Sequence, residues 1–472
     1  MNLRLDMVAR VIAGELVSGQ PGRLIAGVST DSRAIQPGQI FFALRGEKFD
    51  GHKFVSQCAP KGALAAVVEK NFSKKVPKGF GLVKVPDVLF ALGELARFER
   101  AQRRMKVIGL AGSVGKTTAK EMVALALAQK YRVAKSPGNF NNLVGVPLAI
   151  FGMNPKAEVA VLELASNCPG EISRLSEIAQ PHIGLITRIA PVHLEGLQNL
   201  EGVEAEKRAL LSSLGPQGTF IFNLADARLC RLALGYAGRK IGFGFRAPGL
   251  DCGEMQVRAE KVQVARTGSG LAQRFKARVS GGIQNSAVIE LKGVGNHLVE
   301  NALAAIAAGL VMGMNLEEIA SALKKFEPMA GRGKLEKLTK GIWLIDESYN
   351  ANPESMRSAL AVFAEYGRII RGRKILVLGE MEELGDYAEE AHERLGRLLR
   401  KTAFNQLYYL GGFRKEMRSG LGKKLAAKLT IARDLAGLKK FLQAGLRPGD
   451  LVMLKSSHAT GLWQIANALG GK

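Results

Sequence analysis

The chain has 472 residues, with 67 Lys and Arg against 42 Asp and Glu, a formal net charge of +25, 47% hydrophobic residues and four cysteines. At about 100–200 residues per domain this length predicts two to four domains, each able to bury a core. The composition excludes a disordered chain, the 55 glycines show no Gly-X-Y period, and the longest near-apolar run, 302–314, is too short for the ~20 residues of a bilayer span.

Residues 1 to about 104 read as short strands and turns ending in a helical pattern, ALGELARFERAQRR. The opening MNLRLDMVARVIAG has a weak apolar core with an acid inside it and does not read as a secretory signal. STDSR places Ser29, Asp31, Ser32 and Arg33 before a Pro-Gly turn. An Arg among hydroxyls suits a diphosphate, and a turn closed by capping residues explains the same string equally well.

From about Lys106 buried-strand runs alternate with helical patterns: KVIGLA, EVAVLELA, HIGLITRI and GTFIFN, the signature of a parallel sheet wound by helices. Residues 254–291 interrupt this with alternating short segments that suggest an antiparallel excursion, and helices are expected over 298–314 and 316–326. A second α/β series starts near Leu335 with IWLIDES, KILVLGE, QLYYLGG and DLVMLKSS. No solenoid repeat is present. The pattern predicts three domains, the last two α/β.

The strongest local signal is KVIGLAGSVGKTTAKEM. A buried strand runs into Gly112, Ser113, Val114 and Gly115, and Lys116, Thr117 and Thr118 open a helix. Such a turn aims backbone N–H groups and a helix N-terminus at an anion. Lys116 supplies a charge for phosphate oxygens and Thr117 a hydroxyl for Mg²⁺. The spacing is the shorter GxxGKTT, with Leu110 where the general template has glycine.

Glu163 sits inside an apolar strand, where an acid is costly unless it meets a cation; a satisfied structural acid is the alternative. His193, in TRIAPVHLEGL, reads as a metal ligand or a structural histidine, and Lys207 by composition as a solvated helix lysine. SPGNFNNLVGVPLAI offers Asn139 and Asn142 in a loop suited to amide hydrogen bonds. Asp346, in WLIDESYNANPESM, lies at a strand end, where open α/β sheets bind ligands. Cys58, Cys168, Cys230 and Cys252 form neither a disulfide framework nor a CxxC pattern. The excess of basic residues favours anionic partners, but no long basic run carries interleaved aromatics as a nucleic-acid groove would, so no nucleic acid is expected.

Taken in order, these segments resemble the Mur ligases, and within them the enzymes that add a dipeptide. The resemblance rests on DSR and FDGH, GSVGKTT, GNFNNLVGVPL, the ELAS glutamate, the HLEG histidine, Lys207, the string around His297 and Asn301, the GRG arginine, DESYNANPESM, GEMEELG and LKSS. It implies an α/β protein of three domains. Residues 1–104 would be a small UDP-sugar-binding domain, 105–329 a central P-loop-type parallel-sheet ATPase domain, and 330–472 a Rossmann-like domain.

The implied reaction is ATP-dependent amide ligation joining D-alanyl-D-alanine to UDP-N-acetylmuramoyl-tripeptide through an acyl phosphate, with ATP and Mg²⁺, in a cytoplasmic monomer without membrane insertion. Carried over by motif, Lys116 would contact phosphates, and Thr117, Glu163 and His193 would hold Mg²⁺. Lys207 would be carbamylated into a further metal-binding carboxylate. Asn301 would face adenine, and Arg332 and Asp346 the ATP phosphates and ribose. Ser29, Asp31, Ser32, Arg33, Asn139, Asn142, Tyr349, Asn350 and Asn352 would serve the substrates. The chain departs from the family pattern at Arg188, Leu298, Glu347 and His458. The absence of a DNPR string sets it apart from the single-amino-acid-adding relatives.

Overall fold

The computed structural model describes residues 3–47, 49–245, 252–267, 270–281, 285–338 and 340–470. Among these the chain builds sheets of five, nine and six strands, with a small antiparallel pair, Leu3–Arg4 and Leu24–Ile25, beside the first. In the five-stranded sheet Glu15–Ser18, Gly81–Val85, Ala65–Glu69, Gln39–Phe42 and Gly27–Ser29 lie in that order, and only the first runs antiparallel. The helix over it, Val88–Ala101, starts earlier than its apolar pattern indicates because the Asp87 carboxylate accepts from Phe90 N–H at 2.9 Å and caps it.

The nine-stranded sheet carries the centre of the molecule. Its parallel part orders Arg239–Gly244, Thr219–Asn223, Ile183–Ile186, Lys106–Ala111, Val159–Glu163 and Val133–Lys135. The chain leaves Lys106–Ala111 first to one side and later to the other. Strand order therefore reverses at that strand, and a crevice opens beyond its carboxyl end.

Helices cover both faces, which is why the strands read as continuous apolar runs. Lys116–Leu127 and Asn296–Val311 pack on Ile108, Leu110, Val161 and Leu185. Glu171–Ala179 and Leu200–Ser212 pack on Val107, Ala160, Leu162 and Ile186 from the opposite side.

The excursion expected over 254–291 includes residues 268, 269 and 282–284, which lie outside the described residues. Its strands are long, not short: Met255–Thr267, Gly270–Ser280 and Asn285–Lys292. They extend the same nine-stranded sheet, joining it in parallel through Arg239–Gly244 and continuing antiparallel. The two helices that follow are Asn296–Val311 and Leu316–Leu323. The second is started by a capping box in which Asn315 and Glu318 satisfy each other's backbone N–H.

In the six-stranded sheet the order is Lys334–Lys337, Trp343–Glu347, Leu451–Lys455, Lys374–Gly379, Gln406–Leu410 and Leu429–Ile431, parallel except for the first. Helices again lie on both faces, with Pro353–Ile369 and Ala388–Leu399 on one and Leu435–Gly445 and Leu462–Gly470 on the other. Arg174 joins the first two sheets' units by pairing with Glu94 at 2.8 Å while its guanidinium lies over the Phe90 ring. All four cysteines are free, and only Cys168 is exposed.

Candidate active site

A cavity of about 280 Å³ lies beyond the carboxyl ends of Lys106–Ala111, Val159–Glu163 and Ile183–Ile186, roofed by residues that follow Trp343–Glu347. The loop 112–115 forms its floor. Gly112 has φ +142°, and a Cβ there would stand 2.1 Å from Thr187 Oγ1; Gly115, at φ +83°, caps the next helix. Only glycine fits both demands at 112. Ser113 fixes the loop, donating Oγ to Ala190 O and accepting from Ala190 N–H, each at 2.9 Å. The N–H groups of Lys116, Thr117 and Thr118 open the helix and have no acceptor within it, which leaves a concentration of donors facing the cavity. Lys116 Nζ folds back onto Gly112 O at 2.7 Å. Burial lowers its pKa, and the nearby Arg332 charge adds to this while Glu163 opposes it.

Glu163 ends its strand almost fully buried. One carboxylate oxygen accepts from Thr117 Oγ1 at 3.2 Å and from Asn141 Nδ2 at 3.0 Å. The other has no hydrogen-bond partner and lies 3.8 Å from Lys120 Nζ. Lys120 is wholly buried and donates to Ser136 O and Gly138 O, at 2.9 and 3.0 Å. Sequence reasoning passed over both Asn141 and Lys120. Asn141 stood between the two asparagines singled out, and Lys120 repeats Lys116 one helical turn on, the only signal that marked it.

Lys207 is buried, and its Nζ donates to Ser166 Oγ at 2.8 Å, next to the cavity-lining Ala165 and Asn167. Burial, aided by the Lys116 charge and opposed by Glu206 and Glu171, brings its pKa down to about 7. The composition reading of a solvated lysine is thereby overturned. His193 lines the cavity in a left-handed backbone conformation (φ +52°), and its Nδ1 pairs with the Glu383 carboxylate from the six-stranded unit. Leu194 N–H donates to Glu383 O at 2.8 Å, doubling that tie.

From the other wall come Arg332, Glu347, Tyr349, Asn350, Asn352 and Lys455. The Arg332 guanidinium stacks 4.1 Å from the Tyr349 ring centroid. Lys455 Nζ donates to Glu347 Oε2 at 3.2 Å and to Asn350 O at 2.6 Å, so Glu347 has a buried cationic partner. Asn352 caps the helix Pro353–Ile369. His458 packs its ring against Tyr349 and Trp463. His297 and Asn301 line the cavity from Asn296–Val311; the Asn301 amide sits against Gly115, and its Nδ2 is buried without a partner. Leu298 is buried in the core under that helix.

Asp346, Asn139, Asn142 and the Ser29–Arg33 string are not among the cavity-lining residues. Asp346 accepts from Ser348 N–H and Oγ at 3.0 and 2.6 Å. Asn142 caps Gly145–Gly152 by accepting from Gly145 N–H at 2.8 Å, and Asn139 is exposed. In the five-stranded unit Asp31 and the exposed Arg33 pair at 2.8 Å, and that hydrogen-bonded guanidinium pulls the Asp31 pKa down to about 2. Ser29 Oγ accepts from Asp31 N–H at 3.2 Å, and Ser32 O accepts from Lys61 Nζ at 2.7 Å.

Comparison with known proteins follows the three sheets. The Mur ligase family catalytic domain matches residues 24–100, the Mur ligase middle domain 110–309 and the Mur ligase glutamate ligase domain 331–458. A Bacillus subtilis (strain 168) protein named UDP-N-acetylmuramoyl-tripeptide–D-alanyl-D-alanine ligase is 32% identical, covering 98% of this chain and 97% of its own. The protein of that name from Escherichia coli (strain K12) is 30% identical over 99% and 98%. The crystal structure of MurF from Acinetobacter baumannii superposes with a TM-score of 0.87 at 29% identity, covering 100% and 99%.

Proposed function

The chain belongs to the Mur ligase family, and from that premise we propose how its residues divide the work. It is an ATP-dependent ligase that joins D-alanyl-D-alanine to UDP-N-acetylmuramoyl-tripeptide, as its relatives' names state. The observation that carries the assignment of roles is the cavity itself, where the 112–118 loop faces the 349–353 loop across a small, partly buried space. We take 1–104, 105–329 and 330–472 as units for the UDP-sugar, for ATP and for acceptor binding with closure.

A carboxylate is a poor electrophile. Its oxygen attacks the γ-phosphorus of ATP, ADP leaves, and the resulting acyl phosphate carries a good leaving group. The free amine of the dipeptide then attacks the carbonyl carbon and loses a proton, the C–O bond to phosphate breaks, and phosphate departs. Lys116 swings from Gly112 O to the phosphates, the first-turn N–H groups hold them, and Asn301 Nδ2 and Arg332 supply further donors to the nucleotide.

We assign Mg²⁺ to Thr117 and Glu163, with His193 and carbamylated Lys207 completing the set. The fit is supported by the buried, unpartnered Glu163 Oε2 and by the Thr117 hydroxyl beside its other oxygen. Among the described residues no cluster of three His, Cys, Asp or Glu side chains gathers. When bound, the ion neutralises charge on the transferring phosphoryl group. A lysine with a pKa near 7 has the neutral amine that adds to CO₂, its nitrogen bonding to carbon and releasing a proton to leave a carbamate.

The Ser29–Arg33 turn is assigned to the uridine diphosphate, Asn139 and Asn142 to the substrate side of the central loop, and Tyr349, Asn350 and Asn352 to the acceptor. Asp346 holds the Ser348 turn behind the nucleotide wall. We assign the enzyme to the cytoplasm as a monomer. Among the described residues no helix is long and apolar enough to cross a membrane.

Phosphate release from Mg·ATP tests the reading. Release should require both the tripeptide nucleotide and D-alanyl-D-alanine and should yield a pentapeptide product by mass. Turnover with a single D-amino acid in place of the dipeptide would overturn it.

A further inference from the structure

Arg188 stands at a position where this chain departs from the family pattern, and its surroundings give it a task. Its carbonyl accepts from Ser113 N–H at 2.8 Å, which ties the residue to the phosphate loop. One arm of its guanidinium donates to Glu354 Oε1 at 2.8 Å. The other donates to both carboxylate oxygens of Glu300, each at 3.0 Å. Glu300 lies on Asn296–Val311, the helix that brings His297 and Asn301 to the cavity. Glu354 is the second residue of Pro353–Ile369 and follows the 349–353 string directly, so it cannot move without moving that loop.

All three side chains line the cavity at 21%, 17% and 21% exposure, for Arg188, Glu300 and Glu354. At that burial an ion pair escapes most of the screening that makes surface pairs weak. We propose that Arg188 is a positioning residue that locks the acceptor loop of the six-stranded unit onto the phosphate loop of the central unit. It does so by bridging two carboxylates that would otherwise face each other across the seam.

The sign of the effect follows from charge. Glu354 keeps a second cation, Arg357, whose NH2 hydrogen-bonds it, whereas Glu300, whose pKa burial raises, is opposed in that by the Arg188 charge and a hydrogen bond from Asn223. Without the arginine the two acids repel, and the units separate at the cavity mouth. Restoring the units to register then costs free energy in every acceptor-bound complex, while the nucleotide keeps its central-unit contacts and loses only the one to Arg332.

This inference rests on the acceptor reading of 349–353, so its test has an arm that does not. The variants are Arg188→Asn, Glu354→Gln and both together. In steady-state assays Arg188→Asn should raise KM for D-alanyl-D-alanine about tenfold and lower kcat, with ATP affinity changed less than about threefold. Glu354→Gln, which keeps a neutral acceptor, should do less. Adding it to Arg188→Asn should recover part of the loss, because one of the repelling charges is gone. In small-angle scattering of the Mg·ATP-loaded protein without acceptor, Arg188→Asn should have a larger radius of gyration than the wild type, and the double variant an intermediate one.

A dipeptide KM within twofold of wild type in Arg188→Asn, strict additivity in the double variant, or equal radii would overturn the proposal. If the wild-type enzyme ignored the dipeptide altogether, the acceptor reading would fall, and the scattering arm would still decide whether Arg188 holds the units together.

Discussion

Replacing Lys120 by methionine removes a cation from a fully buried point beside the site while keeping most of its aliphatic stem. The ammonium donates to Ser136 O and Gly138 O and lies 3.8 Å from the unpartnered oxygen of Glu163. A hydrogen bond from a charged donor contributes about 1.5–3 kcal/mol. Stranding a buried carboxylate by removing its cation costs about 3–5 kcal/mol. One ammonium serves these three oxygens and also lies 3.4 Å from Glu121 Oε1, so the terms overlap, and a loss of about 4 kcal/mol is expected in the central unit.

Adding Glu163→Gln removes the stranded charge and should return about 2 kcal/mol of it. A chain with several cores need not unfold in one step, so the local measurement is native-state hydrogen exchange over 116–127 and 159–163, in chelator. A loss below about 1 kcal/mol, or a double variant whose cost is the plain sum, would refute the view that Lys120 is the internal counter-ion of Glu163.

Three further outcomes are expected. Gly112→Ala drives a Cβ to 2.1 Å from Thr187 Oγ1 at a φ of +142°, so ATP affinity by calorimetry should fall at least tenfold, to about that or more, and wild-type affinity would disprove the loop geometry. His392 is buried and accepts Met381 N–H at its Nε2; burial lowers its pKa, with the Ala388 carbonyl opposing. The unfolded histidine therefore binds a proton near pH ~6.5 while the folded one still resists, so stability should fall as pH drops below that value. Melting curves from pH 7.5 downward should be steeper for wild type than for His392→Gln, and parallel curves would count against this. Arg33→Ala, at an exposed side chain, should leave stability unchanged yet weaken uridine diphosphate binding; unchanged affinity would remove the Ser29–Arg33 assignment.

The strand runs at the centre of the molecule were legible because both faces of each sheet are covered, which leaves apolar runs without polar interruption. The three-residue edge strand Leu429–Ile431 carries no such run and went unread. The glycine turn and helix start at 112–118 could be read residue by residue because their geometry is local. What could not be read was which of two neighbours faces the cavity. Along a strand, adjacent side chains point to opposite faces. Asp346 therefore turns to Ser348 while Glu347 meets Lys455 inside the cavity. In the 136–145 loop the cap at Gly145 claims Asn142 and leaves Asn141 to reach Glu163. Both choices depend on a partner far away in sequence, which spacing alone does not encode.

The same dependence on distant partners holds for the charged residues of the cavity wall. Glu347 brings a carboxylate to Lys455, and Arg188 brings a guanidinium to Glu300 and Glu354; each is a charge whose complement lies on another element. The seam between the central and six-stranded units is uneven as a result. On one side Leu271 and Val294 join the apolar core formed by Ala351, Met356 and Leu360, and a Cβ at Gly295 would press on Val362. On the cavity side the ties are ionic, Arg188 with Glu354 and His193 with Glu383. Apolar area separated from water resists parting, and ion pairs at this burial are screened less than surface pairs, so both sides of the seam hold the two units together.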